Sequence, residues 1–265
     1  MLKSLVGALL FLSGGAMKLK VLTYNIHKGF DWKKKNYFLK DIKDLIKRSH
    51  ANIVLLQEVV GQNKFYQKKG LIDSQFEFIA DSVWPHYSYG KNAVYDHGHH
   101  GNLILSKFPI KSWENVDIST NHFEKRGLLV CKVEIPDIHH KYLHIICAHL
   151  GLTNSGRNEQ YSMIKEYIDS LNLPPKAPLV LAGDFNDWNK LATHILEKKL
   201  HLVEVYKKQH GGFARTFPAA LPFLSLDRIY VRNLKVLDSY VLPKTEKMHF
   251  SDHLPLMGEV CLNEI

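Results

Sequence analysis

The chain has 265 residues, 45% hydrophobic and 23% charged, proportions that exclude a disordered or fibrous protein and fit one globular body. Lys+Arg number 35 against 26 Asp+Glu, a net charge of +9, which points to an anionic partner such as nucleic acid, a phosphorylated small molecule or an anionic lipid surface. Three cysteines, Cys131, Cys147 and Cys261, are odd in number and form no CxxC pair, so neither a disulfide framework nor a thiolate zinc site is expected.

Residues 1–16 are set apart. Lys3, the apolar run Leu5 to Leu12 and the small residues Ser13 to Ala16 have two readings: an unstructured or mis-annotated leader ahead of a true start at Met17, or a short export signal. The expected location is cytoplasmic under the first reading and exported under the second. Residues 17–265 are expected to form a single domain and a monomer. No run of about 20 apolar residues is present, so no ordinary transmembrane helix is expected.

In chain order, Lys18 to Asn25 reads as a buried strand. Tyr37 to Ser49 sets Leu39, Ile42, Leu45 and Ile46 on one helical face, and Asn52 to Gln57 is a second apolar strand. Part of Gln62–Ala80 is expected to be helical. Strands follow at Gly101–Ser106, Leu128–Ile135 and Tyr142–Ala148, the last two joined by a turn at Pro136–His140. A helix from Arg157 to Leu171 is stopped by Pro174-Pro175. Further strands are expected at Leu179–Ala182, Leu226–Val231, Lys235–Val241 and Leu256–Cys261. Successive strands without crossover helices fit a parallel βαβ series poorly and suggest an α+β fold with two packed sheets and helices outside.

Polar residues collect at the ends of the apolar strands: Asn25, Glu58, His149, Asp184 with Asn186, Asp227, and Asp252 with His253. Any one of them alone is explained by a turn, since Asp and Asn close strands readily. Together they are costly at the lip of a core unless paired or bound to a metal. Glu58, Asp252 and Asn25 offer oxygen ligands suited to a hard cation such as Mg²⁺. Asp184 and Asn186 are two apart and face one way in extended chain, one able to hold a water and the other a phosphate oxygen. Two histidines near such a cluster can divide general base and general acid between them, and Asp227 can hold one of them in a single tautomer.

In this order, the strings Tyr-Asn-Ile-His (24–27), Leu-Gln-Glu-Val (56–59), Gly-Asn-Leu-Ile-Leu-Ser (101–106), Ala-His-Leu (148–150), Gly-Asp-Phe-Asn (183–186), Leu-Asp-Arg-Ile (226–229) and Ser-Asp-His-Leu-Pro-Leu (251–256) resemble the endonuclease/exonuclease/phosphatase superfamily, which shares the fold of pancreatic deoxyribonuclease. The resemblance implies a four-layer αββα sandwich of two mainly antiparallel sheets, and hydrolysis of a phosphoester with Mg²⁺ or Mn²⁺. It implies that Glu58 is the principal metal ligand with Asn25 in support, and that Asp252 is a further metal or structural carboxylate. It also implies that Asp184 orients the attacking water, that Asn186 binds phosphate, and that Asp227 braces His253 at the scissile phosphate. His149 would be the general acid. Histidines at positions 27 and 149 depart from the abasic-site nucleases. They bring the chain nearer the deoxyribonuclease, sphingomyelinase and inositol-phosphatase branches, and in detail it looks most like small bacterial members of unassigned substrate.

Weaker features complete the expectations. His97, His99 and His100 are read as a loop that positions the strand Gly101–Ser106, in preference to a second metal site. Arg126, Arg157 and Asn102 are candidate substrate-binding residues. Arg215-Thr216-Phe217 is a candidate lining for the leaving-group side. The segment from Asp31 to Arg48 has seven Lys/Arg against three Asp, a net of +4. It is read as a solvated helix face, with Trp32, Tyr37 and Phe38 interleaved as candidates for stacking or touching a membrane. The expected partner is a phosphodiester, in nucleic acid or in a phospholipid head group. An inositol-phosphate or nucleotide phosphatase and a catalytically inactive phosphate-binding module are the alternatives.

Overall fold

The computed structural model describes residues 17–72, 74–136, 141–243 and 250–262. The leader and most of the expected Pro136–His140 turn lie outside them. Twelve strands and six helices are described. In chain order they are β1 (Lys18–Asn25), α1 (Leu39–Ser49), β2 (Ile53–Asn63), α2 (Lys64–Lys68), α3 (Gln75–Ala80), β3 (His86–Tyr95), β4 (Gly98–Ser106), β5 (Ile110–Asp117), β6 (Gly127–Glu134), β7 (Tyr142–His149), α4 (Asn154–Ser170), β8 (Leu179–Asp184), α5 (Leu191–Leu200), β9 (Val203–Glu204), α6 (Val205–His210), β10 (Asp227–Arg232), β11 (Leu234–Val241) and β12 (Leu256–Leu262). One sheet has the order β11-β12-β1-β2-β4-β3, the other β5-β6-β7-β8-β10-β9. The pairs β1/β2 and β7/β8 are parallel, and all other neighbours are antiparallel. The expected α+β sandwich is what the chain forms.

The central strands read as continuous apolar runs because both of their faces are covered. Leu19 and Val21 of β1, Ile53 and Leu55 of β2, Leu129 and Cys131 of β6, Ile145 and Cys147 of β7, and Val180 and Ala182 of β8 form a shared core between the sheets. The alternate residues Leu22, Tyr24, Val54 and Leu56 face outward, against Leu39, Ile42 and Ile46 of α1 and Ile79 of α3. On the second sheet Ile146, Leu179 and Leu181 meet Tyr161, Ile164 and Ile168 of α4 and Ala192 and Leu196 of α5. Period-two alternation along each strand thus supplies three apolar layers.

Local chemistry sets the helix ends. α4 starts at Asn154, three residues before the expected Arg157, because the Thr153 hydroxyl accepts the Gly156 N–H at 3.2 Å and caps the first turn. The Asp187 carboxylate accepts the Leu191 and Ala192 amides at 3.0 and 2.9 Å and so starts α5. Two of the three aromatic residues interleaved in the basic 31–48 segment are not available for stacking or touching a membrane: Tyr37 packs against Phe30 and Tyr66, and Phe38 is buried against Phe250, which leaves Trp32 as the exposed ring of the three. No helix among the described residues is long and apolar enough to cross a membrane.

Candidate active site

The parallel pairs at the middle of each sheet end side by side, and their ends carry the polar residues. In register, Asn25 of β1 lies opposite Gln57 of β2. In the second sheet Asp184 lies between His149 of β7 and Asp227 of β10, so three chemistry-bearing residues form one row across three strands. The sheets are joined at this level by the Asn25 amide, which donates from Nδ2 to Asp184 Oδ2 at 3.0 Å and to Glu58 Oε1 at 3.4 Å. Asn25 therefore bridges two carboxylates as a donor. Its own oxygen accepts the His27 N–H at 3.0 Å.

Glu58 sits at a shift of register between Leu56 and Val59 and has a left-handed φ of 56°, uncommon for a residue with a side chain. The bulge turns its carboxylate out of the strand toward Lys28, whose Nζ lies 3.2 Å from Oε2. Burial opposes the charge on Glu58, yet the Lys28 ammonium holds it well below the usual carboxylate range. A cavity of about 600 Å³ opens here, its lining including Glu58, Lys28, Tyr95, His100, Arg126 and His149.

Asp184 Oδ2 lies 3.7 Å from Nε2 of both His149 and His253. His253 Nδ1 is 2.9 Å from Asp227 Oδ2, and that same oxygen accepts the Thr216 hydroxyl at 2.5 Å. Burial disfavours charge on His253, but the carboxylates of Asp227 and Asp184 overcome it and raise the imidazole to about 10. Burial pushes Asp184 up, with Asp227 adding to the shift. His149 is held well below its ordinary value by burial, and Arg126 adds to this. Two imidazoles flanking one carboxylate therefore differ at neutral pH: His253 is charged and His149 is not. The environment thus favours the charged, proton-donating form at His253 more than at His149, the residue for which the resemblance implies the general-acid role.

The donor set fits a hard divalent cation. Glu58 faces the cavity with the Lys28 ammonium 3.2 Å away, while Asp184 and Asp227 bring carboxylate oxygens within 4.8 Å of one another and of a ring nitrogen of His253. Asp227 Oδ1 is buried without a hydrogen-bond partner among the described residues. Oxygen-rich ligands with room for water are what Mg²⁺ or Mn²⁺ requires. Asp252 stands at the edge of this group, its Oδ1 3.7 Å from His27 Nδ1 and 3.2 Å from the Ser251 hydroxyl.

Two of the expected substrate contacts, Asn102 and Arg157, serve other purposes. Asn102 is fully buried and spends both amide hydrogens on the Gly127 and Cys147 carbonyls of the opposite sheet, at 3.0 and 3.2 Å; it ties the sheets together beneath the site. Arg157 is 2% exposed and donates to the Gly151 and Leu152 carbonyls at 3.1 and 2.7 Å and to Asn154 Oδ1. It locks the loop that follows His149 and is not open to a phosphate. Asn186 gives its amide to the Leu150 carbonyl at 3.0 Å, which leaves one amide hydrogen for other use. Arg126 does line the cavity, but it is committed to Glu124 at 2.7 Å and to the Leu150 carbonyl at 2.9 Å.

Lys28 and Tyr95 join the site as residues that no motif marked, and Thr216 joins it as the string around it led one to expect. Thr216 belongs to the Arg215-Thr216-Phe217 string, and the Phe217 ring lies 4.9 Å from that of His253. The histidine group separates in the structure. His97 stacks on Tyr95, His99 Nδ1 is 3.1 Å from the Tyr89 hydroxyl, and His100 enters the cavity beside Glu58. The signal available for Lys28 was Gly29, which marks a tight turn directly after Asn25.

Comparison with known proteins agrees with this geometry. The model of the Endonuclease/Exonuclease/phosphatase family matches residues 22–253. YbhP of Escherichia coli K12, an uncharacterized protein, is 42% identical over 246 residues, 92% of this chain and 96% of that protein. Among solved structures, an endonuclease/exonuclease/phosphatase from Beutenbergia cavernae superposes with a TM-score of 0.76 at 19% identity, covering 92% of this chain and 72% of that one. A mannosyl-6-phosphatase from Bacteroides thetaiotaomicron gives 0.71 at 18% identity, with 91% and 99% covered. TDP2 from Caenorhabditis elegans gives 0.66 at 15%, with 92% and 98% covered. The sequence match over most of the chain, laid over a site built from both sheets, establishes that this protein belongs to the endonuclease/exonuclease/phosphatase family.

Proposed function

We propose that the protein is a divalent-metal-dependent phosphoric ester hydrolase that cleaves a phosphodiester by attack of water at phosphorus. The observation that carries this reading is the placement of Asp184 3.7 Å from both His149 and His253 and joined through the Asn25 amide to Glu58. A carboxylate raised toward neutrality by burial is an apt acceptor for a proton from water. Asp184 holds and deprotonates that water. His253, charged and braced by Asp227 and Thr216, donates to the phosphoryl oxygens or the leaving oxygen. Glu58, aided by Asp252, would hold Mg²⁺ or Mn²⁺, which when bound neutralises phosphoryl charge. His149, uncharged, keeps the wall next to Asp184 free of a competing cation.

The substrate class is read as a nucleic acid or related phosphodiester. The mannosyl-6-phosphatase among the structural neighbours supports phosphoester chemistry on this fold by analogy alone. A second reading, a phospholipid head group, is favoured by Leu221 and Phe223, which are 76% and 61% exposed on the segment that follows Thr216 and Phe217. Bis-p-nitrophenyl phosphate with Mg²⁺ or Mn²⁺ tests the chemistry. We expect EDTA-sensitive release of nitrophenol, reduced by about 10³-fold or more in Glu58→Gln and His253→Ala with the fold intact. Absence of turnover at every metal concentration would favour a binding module instead. Plasmid, single-stranded DNA, RNA, nucleotides, inositol phosphates and phospholipid vesicles, offered side by side, distinguish the substrate classes.

A further inference from the structure

Lys28 is placed by an unusual stretch of backbone. His27, Lys28 and Gly29 have successive φ values of 45°, 57° and 82°. Left-handed conformation is open to Gly but strains a residue with a side chain. Buried contacts hold the turn. Gln75, fully enclosed, donates from Nε2 to the Lys28 carbonyl at 2.7 Å while its Oε1 accepts the Val60 amide at 2.9 Å. Gly29 N–H donates to the Ile26 carbonyl at 2.8 Å, and Phe38 N–H to the Gly29 carbonyl at 2.7 Å. At Gly29 a Cβ would come within 2.9 Å of the Tyr37 ring, so the turn cannot relax by substitution there. The side chain thus projected meets Glu58, itself turned outward by a left-handed residue at a bulge. Two strained positions on separate strand ends therefore converge on one ion pair that lines the cavity. An ordinary surface pair does not require such a frame and contributes little.

The geometry points to Lys28 as the built-in counter-cation of the site: it holds Glu58 while no metal is bound, yields that carboxylate to a divalent cation, and then offers its ammonium to the phosphate oxygens of the substrate in the same cavity. This rests on the metal-dependent reading above. Glu58, Asp184, Asp227 and Asp252 make the site acidic, and without a counter-charge the carboxylates would repel an incoming phosphate. Lys28 is the ammonium that the structure places against that acid. Its side chain is 35% exposed and lines the cavity together with Glu58. A lysine suits the exchange because its ammonium is a compact point charge on a flexible stem.

The test compares wild type with Lys28→Met, which keeps the stem and makes the same demand on the backbone, and with Lys28→Arg and Glu58→Gln. Binding of Mn²⁺ is read by the loss of the free-ion electron paramagnetic resonance signal, and binding of inorganic phosphate to the Mn²⁺-loaded protein by calorimetry. Thermal melts check that each variant is folded. We expect Lys28→Met to bind Mn²⁺ more tightly, on the order of fivefold, because a competing cation is gone. It should bind phosphate more weakly by a similar factor, and Lys28→Arg should recover phosphate binding. Glu58→Gln should lose Mn²⁺ binding. Unchanged or weaker Mn²⁺ binding in Lys28→Met, with Glu58→Gln defective, would overturn the role of Lys28 and leave the metal-dependent reading standing. No Mn²⁺ binding by wild type would overturn both.

Discussion

His253 shows how much of the chemistry rests on single contacts. Asp227 meets His253 Nδ1 on one side, and Thr216 completes the hydrogen bonding of the same carboxylate oxygen. Replacing Asp227 by Asn removes the main charge that keeps the imidazole protonated up to about pH 10. Its protonated form is then lost at lower pH. The alkaline limb of a kcat/KM profile should move down by one unit or more, with activity at neutral pH reduced on the order of 10²-fold. A limb that stays in place would show that His253 is not the group observed. The same residue scale is where sequence reading went astray. Asn102 and Arg157 look like ligands in a string of letters, being polar residues next to catalytic motifs. A polar side chain that satisfies buried carbonyls and one that awaits a phosphate differ only in what surrounds them. By contrast, Glu58, Asp184, Asp227 and His253 were legible because each interrupts an apolar run at its end, and the cost of burying such groups together demands a purpose.

Elements were legible in proportion to what they bury. β1, β2, β7 and β8 are covered on both faces and announce themselves as apolar runs. β3 and β5 lie at the edges of their sheets, and β5 carries no fully buried residue, so no hydrophobic pattern marks it. The short α6 is likewise hard to read, and its start depends on a buried carboxylate. Glu204 accepts the Lys207 N–H at 2.5 Å, and burial raises its pKa to about 7. Because the folded value lies above the unfolded one, the stability linked to this proton is complete below about pH 4.3 and is lost as the pH rises through about 7. Glu204→Gln keeps the cap acceptor and removes the titration. Wild type should therefore lose a few degrees of Tm between pH 5.5 and 8.5 relative to this variant, as measured by parallel thermal melts. Equal pH dependence in the two proteins would mean that the Glu204 proton is not linked to folding.

At the scale of the whole molecule, the two sheets converge on one acidic edge within a chain of net charge +9. Exposed lysines of residues 33–47 carry part of the positive excess, while Lys28, Lys125 and Arg126 line the cavity itself, Lys28 paired with Glu58. This arrangement needed the fold to be seen, since Asn25 and Asp184 are far apart in sequence yet touch at 3.0 Å. The ordered motifs did carry the architecture, because each sits where a core strand leaves the sandwich. The central claim is that this edge directs water to phosphorus. It is tested most directly by hydrolysis of bis-p-nitrophenyl phosphate in ¹⁸O-labelled water with Mg²⁺, read by ³¹P NMR of the p-nitrophenyl phosphate formed. The account predicts one ¹⁸O in that product, no reaction in EDTA, and none above background with Glu58→Gln. Product without the label, or labelled product formed equally well in EDTA, would contradict it.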